Sequence, residues 1–255
     1  MKSKILNIYK PLGLSPLEAI RRFIEQNRAY EELKMTYAGR LDPMAEGVLL
    51  VLAGDAVHEK DQYLKVEKEY EAEILFSLET DTYDTLGLPV EKERVIITEE
   101  KIQKEVAKLK GNISLPLPAY SSYKVKSKPL FIWARAGKLD EVEIPIRKTK
   151  IYSIKYLRSY EIDKIKLNKV IQKRIDKVSG DFRQEEIKTQ WKKLLKNEAV
   201  EKFKVARIKF TVSSGTYIRS IAHELGGRLG TSAILFSLIR TRVGGYEIKD
   251  SIKLT

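Results

Sequence analysis

The 255-residue chain is 43% hydrophobic and 33% charged, with 14 glycines and 8 prolines. That composition suits one large domain or two small ones and excludes a disordered tail. Its 48 Lys and Arg outnumber 35 Asp and Glu, for a net charge of +13. The excess suggests a polyanionic partner, nucleic acid first, although joint Lys and Glu enrichment also suits a thermophilic or AT-biased composition.

The absence of cysteine excludes disulfides, Cys-ligated metal sites and thiol catalysis. His58 and His223 are the two histidines and lie far apart, which argues against a His-based metal site or a Ser-His-Asp triad. No run of about 18 apolar residues occurs, and the N-terminus has no long apolar stretch, so a cytoplasmic protein is expected.

Ile5 to Tyr9 reads as a strand, followed by a turn at Lys10-Pro11-Leu12-Gly13. Ser15, Pro16 and Glu18 then form a helix start, with a capping box and proline at the first helical position. This helix runs to about Gln26 with Leu17, Ile20 and Ile24 on one face. Val48 to Ala53 is a continuous apolar run, a buried strand or short helix, and Glu69 to Phe76 alternates as a strand. Thr80 to Leu88 reads as a loop. Thr98 to Leu109 reads as a helix with Ile102, Val106 and Leu109 inward, stopped by Gly111.

Leu115 to Tyr123 reads as an extended loop, Leu130 to Ala136 as a helix, and Ile144 to Ser159 as one or two strands. Lys164 to Val200 reads as two helices parted near Ser179-Gly180. Lys204 to Ser213 reads as a strand, Tyr217 to Leu229 as a helix, and Leu235 to Ile252 as strand or loop. Strands and helices mix without strict alternation, so the expected class is α+β with one main sheet.

Three segments carry candidate chemistry. Gly39-Arg40-Leu41-Asp42-Pro43 sets an acid beside an arginine in a tight loop ahead of an apolar run; an ordinary Asp-Pro turn fits it as well. Ser213 to Ser220 brings small residues and Gly215 to a helix start, with Arg219 one turn in; this suits a phosphate or base contact, or a plain strand-to-helix turn. In Lys68-Glu69-Tyr70-Glu71-Ala72, strand alternation puts Lys68, Tyr70 and Ala72 on one face, so Tyr70 points inward with a polar end.

Taken in order, seven motifs resemble the bacterial tRNA pseudouridine synthase B family across nearly the whole chain. They are Asn7 to Ser15, Gly39 to Leu49, Lys68 to Ala72, Thr80 to Gly87, Pro118 to Val125, Gly215 to Arg219, and Leu238 to Gly244. The resemblance implies a pseudouridine synthase fold: a central mixed, mostly antiparallel sheet flanked by helices and loops, here with an inserted helical hairpin. It implies isomerisation of the T-loop uridine at position 55 of tRNA, with no cofactor, no metal and no obligate protein partner, by a monomer.

By motif match Asp42 falls on the nucleophile, Tyr70 on the tyrosine stacking on the flipped base, and Arg219 on the arginine pairing with the nucleophile. Tyr217 and Leu238 fall on substrate-pocket positions, and Tyr37 on a position usually held by histidine. Lys10, Arg40, Lys124, Lys126, Lys128, Arg135 and Arg240 are expected phosphate contacts.

The resemblance implies one catalytic domain over 1–255, with an RNA-clamping insertion at 119–145. The family's C-terminal PUA domain is expected to be absent. Residues 163–202 resemble an insertion where the family has a short turn. From Asp163 to Lys204 there are 13 Lys and Arg against 7 Asp and Glu, so this hairpin is expected either to share in RNA binding or to be a solvated decoration. Competing readings are an RNA chaperone with little or no catalysis, a guide-dependent synthase, and a synthase acting on another RNA.

Overall fold

A computed structural model describes residues 4–90, 95–197 and 201–254. In chain order, β1 (Lys4–Lys10) leads to α1 (Pro16–Gln26), β2 (Met35–Ala38) and β3 (Ala45–Ala53). Next come α2 (Lys60–Lys65), β4 (Lys68–Phe76), a small hairpin of β5 (Glu79–Thr80) and β6 (Pro89–Val90), α3 (Glu99–Lys108) and β7 (Gly111–Pro116). A second small hairpin, β8 (Lys124–Val125) with β9 (Lys128–Pro129), precedes α4 (Leu130–Arg135) and β10 (Ile146–Asp163). The chain continues through α5 (Lys164–Ile175), α6 (Gln184–Asn197), β11 (Lys202–Val212), α7 (Ile218–Arg228), β12 (Ala233–Val243), β13 (Tyr246–Glu247) and β14 (Ile252–Lys253).

The main sheet runs β14-β1-β3-β12-β4-β11-β10-β7, with β2 on β3 and β13 on β12. β1 with β14 and β3 with β12 are parallel; the other pairs are antiparallel. This is α+β with one main sheet, as the pattern of elements leads one to expect, and mixed and mostly antiparallel, as the resemblance implies. The segment from Ile144 resolves into one 18-residue strand with register shifts near Ile151 and Tyr156.

The capping box forms as read: the Ser15 hydroxyl accepts from the Glu18 amide while Glu18 accepts from the Ser15 amide. The buried stripe of α1 is Pro16, Ala19, Ile20 and Phe23. Leu17, expected inward, is exposed, because the small Ala19 and the large Phe23 centre the stripe on a neighbouring face.

Both faces of the sheet are covered. On one, Ile102 and Val106 of α3 and Ile221 and Leu225 of α7 pack on Ala72, Ile74 and Phe76 of β4 and on Ile208 and Phe210 of β11. On the other, the hairpin of α5 and α6 packs Leu167, Ile171, Ile175, Ile187, Trp191 and Leu195 against Leu75, Phe203, Val205, Ile234 and Phe236. Trp191 is fully buried, and its Nε1 donates to the Thr85 carbonyl at 3.2 Å. Burial of each such side chain contributes roughly 1.5–3 kcal/mol. The hairpin therefore completes the core and is no solvated decoration. Residues 198–200 at its end lie outside the described residues.

The hairpin also reaches under the site. Gly13 lies so close to the Lys177 carbonyl that a Cβ there would collide with it, and its φ of 99° suits glycine. The Ser179 amide donates to the Gly13 carbonyl at 3.1 Å. No helix among the described residues is long and apolar enough to cross a membrane.

Candidate active site

Asp42 sits in the loop between β2 and β3. Its neighbours Leu41 and Met44 are buried, so the loop is pinned on both sides of the carboxylate. Three further anchors hold it. The Gly13 amide donates to the Pro43 carbonyl at 2.8 Å. The Arg240 guanidinium donates to the Val48, Arg40 and Gly39 carbonyls at 2.7, 3.1 and 3.1 Å. Arg174, on α5, donates to the Met44 carbonyl at 3.1 Å.

The first turn of α7 brings Arg219 to this loop. Its Nε lies 2.9 Å from Asp42 Oδ2 and 3.7 Å from Asp84 Oδ2. Nη1 donates to the Thr82 carbonyl at 2.9 Å, and both terminal nitrogens reach the Tyr120 carbonyl at 3.3–3.4 Å. The Nε side of the guanidinium thus faces both carboxylates. Burial opposes the charge of Arg219, but Asp42 and Asp84 outweigh it, and the guanidinium pKa lies above its ordinary value.

The two carboxylates differ sharply. The Asp42 side chain is 32% exposed and opens on the cavity, whereas that of Asp84 is 8% exposed. Asp84 accepts from the Thr82 hydroxyl at 2.8 Å and the Leu86 amide at 2.9 Å. Burial raises its pKa, with the Asp42 charge adding to the rise against the pull of Arg219. Asp84, inside the Thr80 to Gly87 motif, is a second charge partner for Arg219 that motif matching alone does not single out.

A cavity of about 540 Å³ joins Asp42, Arg219, Tyr70, Tyr217 and Leu238. Tyr70 is inward on β4 as its alternation requires. Tyr217 stands just before α7; burial raises its pKa, aided by the Asp42 charge. Lys68 also lines the cavity, donating to the Leu64 and Val66 carbonyls at 2.7 and 2.6 Å. Burial, then the charge of Arg240, lowers its pKa to about 8.

Other expected site residues lie elsewhere. Tyr37 is outside the cavity lining, half-buried, with its hydroxyl 3.2 Å from Arg40 Nη2 and Lys60 over its ring. Arg40 is exposed at the cavity rim, and Lys124, Lys126 and Lys128 belong to the hairpin of β8 and β9.

Lys10 and Arg240 are corrections. Both were expected to reach phosphate, yet they are 0% and 1% exposed and their donors are taken by backbone carbonyls. They shape the loops around Asp42 and cannot reach an RNA backbone.

Burial lowers the Lys10 pKa to about 7, with the nearby Asp42 charge resisting. Between pH 7 and 10 the unfolded chain therefore holds more protons at this residue than the folded one, and stability rises with pH across that window. Lys10→Met should flatten that rise, as read from urea midpoints at pH 7, 8.5 and 10. A variant curve as steep as wild type would contradict the depressed pKa.

The sheet, loop and helix thus define an α+β domain built around one accessible carboxylate paired with a buried arginine on a nucleotide-sized cleft. Its fold resembles those in the crystal structure of a Cbf5-Nop10-Gar1 complex, at TM-score 0.61 and 21% identity, covering 98% of this chain and 52% of that one. It also resembles an H/ACA RNP bound to a substrate RNA containing 2'-deoxyuridine, at TM-score 0.59 and 20% identity, covering 98% and 50%.

Residues 27–175 match the N-terminal domain model of the TruB family pseudouridylate synthases. Proteins named tRNA pseudouridine synthase B from Clostridium tetani and Aromatoleum aromaticum are 32% and 31% identical over 98% of this chain, which spans 71% and 66% of their lengths. The chain belongs to the TruB family of pseudouridylate synthases.

Proposed function

We propose that this chain isomerises the T-loop uridine at position 55 of tRNA to pseudouridine, with Asp42 as nucleophile. The observation that carries the reading is the Asp42–Arg219 contact of 2.9 Å inside a cavity shared with Tyr70, Tyr217 and Leu238. The names of the relatives support tRNA as the substrate.

The reaction breaks the N1–C1′ bond, turns the base, and rejoins it through C5. N1 gains a proton and C5 loses one, so atoms balance without an external group. A carboxylate is a competent covalent nucleophile, and Arg219 places a countercharge 2.9 Å from it. Tyr70 offers a flat face for the flipped base, whose removal from its stack costs a few kcal/mol. Tyr217 and Leu238 bound the same slot. Arg40, Lys124, Lys126 and Lys128 contact phosphates around the T-arm, with the segment 119–145 closing on the RNA.

The test is release of tritium from C5-labelled uridine in a T-arm stem-loop, followed by mapping of the product. Release confined to another RNA would keep the chemistry and discard the substrate. RNA binding with no release from any RNA would favour the chaperone reading. Tyr70→Phe keeps the stacking face and loses the hydroxyl that assists C5 deprotonation. It should lower kcat by about 10²-fold or more, with RNA affinity unchanged. A kcat within twofold of wild type would remove the hydroxyl from the mechanism.

A further inference from the structure

The loop joining α5 to α6 forms part of the cavity wall: Asp181, Phe182 and Arg183 line it beside Tyr120 and Arg135. This loop lies beyond residue 175, where the match to the family model ends. Its shape is fixed in advance. Gln184 donates to the Val178 and Gly180 carbonyls at 3.1 and 2.6 Å and accepts from the Phe182 amide at 2.8 Å. Arg135 donates to the Asp181 carbonyl at 2.6 Å, and Phe182 packs against the core beneath the hairpin.

Arg183 is held on two sides. Its Cζ lies over the Tyr120 ring, 4.5 Å from the centroid, and Nη2 pairs with Asp81 Oδ2 at 2.9 Å. Its side chain remains 22% exposed, on the cavity it lines. Asp81 offsets its charge, which weakens it as a phosphate contact. A charge-compensated guanidinium backed by an aromatic ring presents a flat surface of the kind on which unpaired RNA bases stack.

We propose that Arg183, carried by the inserted hairpin, is a substrate-contacting residue that stacks on an unpaired base next to the target uridine. The hairpin then has two roles: its helices complete the core, and its tip recognises the nucleotide that flanks the reacting one. This rests on the RNA-modifying reading above.

The experiment uses the full chain and two T-arm stem-loops with 2-aminopurine placed 5′ or 3′ of a C5-tritiated target uridine. Wild type should quench the fluorescence of one of them on binding and release tritium from it. Arg183→Lys keeps the charge and the pairing with Asp81 but loses the plane. It should lose most of the quenching, raise KM at least about fivefold, and leave kcat within about twofold.

Full quenching by Arg183→Lys would mark a charge contact and overturn the stacking assignment. Release by wild type without quenching at either position would overturn it while leaving the proposed reaction intact. Quenching without release would support the stacking and overturn the reaction instead. Because Arg183→Lys must also keep kcat within about twofold, loss of quenching through misfolding cannot pass as support.

Discussion

Asp42→Asn should abolish tritium release, lowering turnover by at least about 10⁴-fold, the scale seen when a covalent nucleophile is removed. RNA affinity should stay within about threefold, because the phosphate contacts proposed above lie on other residues. The substitution is nearly isosteric, and the side chain is 32% exposed, so little packing is disturbed. Arg219 keeps Asp84 and the Thr82 and Tyr120 carbonyls as partners. The melting temperature should therefore fall by no more than a few degrees. The asparagine should also persist, since Pro43 follows it and lacks the N–H that backbone-driven deamidation uses. Release at even a hundredth of the wild-type rate would remove Asp42 from the nucleophile role, and a collapse in RNA affinity would make the site one of binding.

Arg219→Leu should cost more in stability than any surface change. The guanidinium is 6% exposed and ties Asp42, Asp84 and two backbone carbonyls together. Removing one partner of a buried ionic network typically costs about 3–5 kcal/mol, because the remaining charge stays buried. Catalysis should vanish with it, since the Asp42 carboxylate loses its ion-pair partner.

The deficit should depend on pH in a fixed direction. Burial already raises the Asp84 pKa in the folded protein, and losing Arg219 removes the group that opposes the rise. The folded variant then binds a proton at Asp84 more readily than the unfolded chain. Its stability falls as pH climbs above the ordinary carboxylate range and recovers as pH drops. Urea melts at pH 5, 6.5 and 8 should show the gap to wild type narrowing toward pH 5. A constant gap, or one below about 1 kcal/mol, would mean that Asp84 carries no charge in that network.

Much of this architecture is written locally. Ser15, Pro16 and Glu18 start α1 through contacts within one turn, so no distant partner is needed. The alternation around Tyr70 turns it inward wherever β4 finds its neighbours. Asp42 and Arg219 were legible as loop acid and helix-start arginine, though each segment alone fitted an ordinary turn. Their order along the chain, shared with a family, raised them above that reading.

Sequence by itself determined the start of α1, the inward side of Tyr70 and the α+β class, because capping and alternation act over a few residues, while Asp42 and Arg219 stood out only through the order of the motifs that hold them. Tertiary structure alone decided where the long cationic side chains end. Lys10 and Arg240 looked like phosphate contacts, yet each reaches carbonyls left unpaired by turns in its surroundings, for Arg240 some 200 positions away. It also decided that Trp191 and its hairpin close one face of the sheet, and that the tip carrying Arg183 meets Tyr120 beside the cleft. Such placements depend on which surfaces the folded sheet leaves open, a property of the assembled chain and not of any short segment.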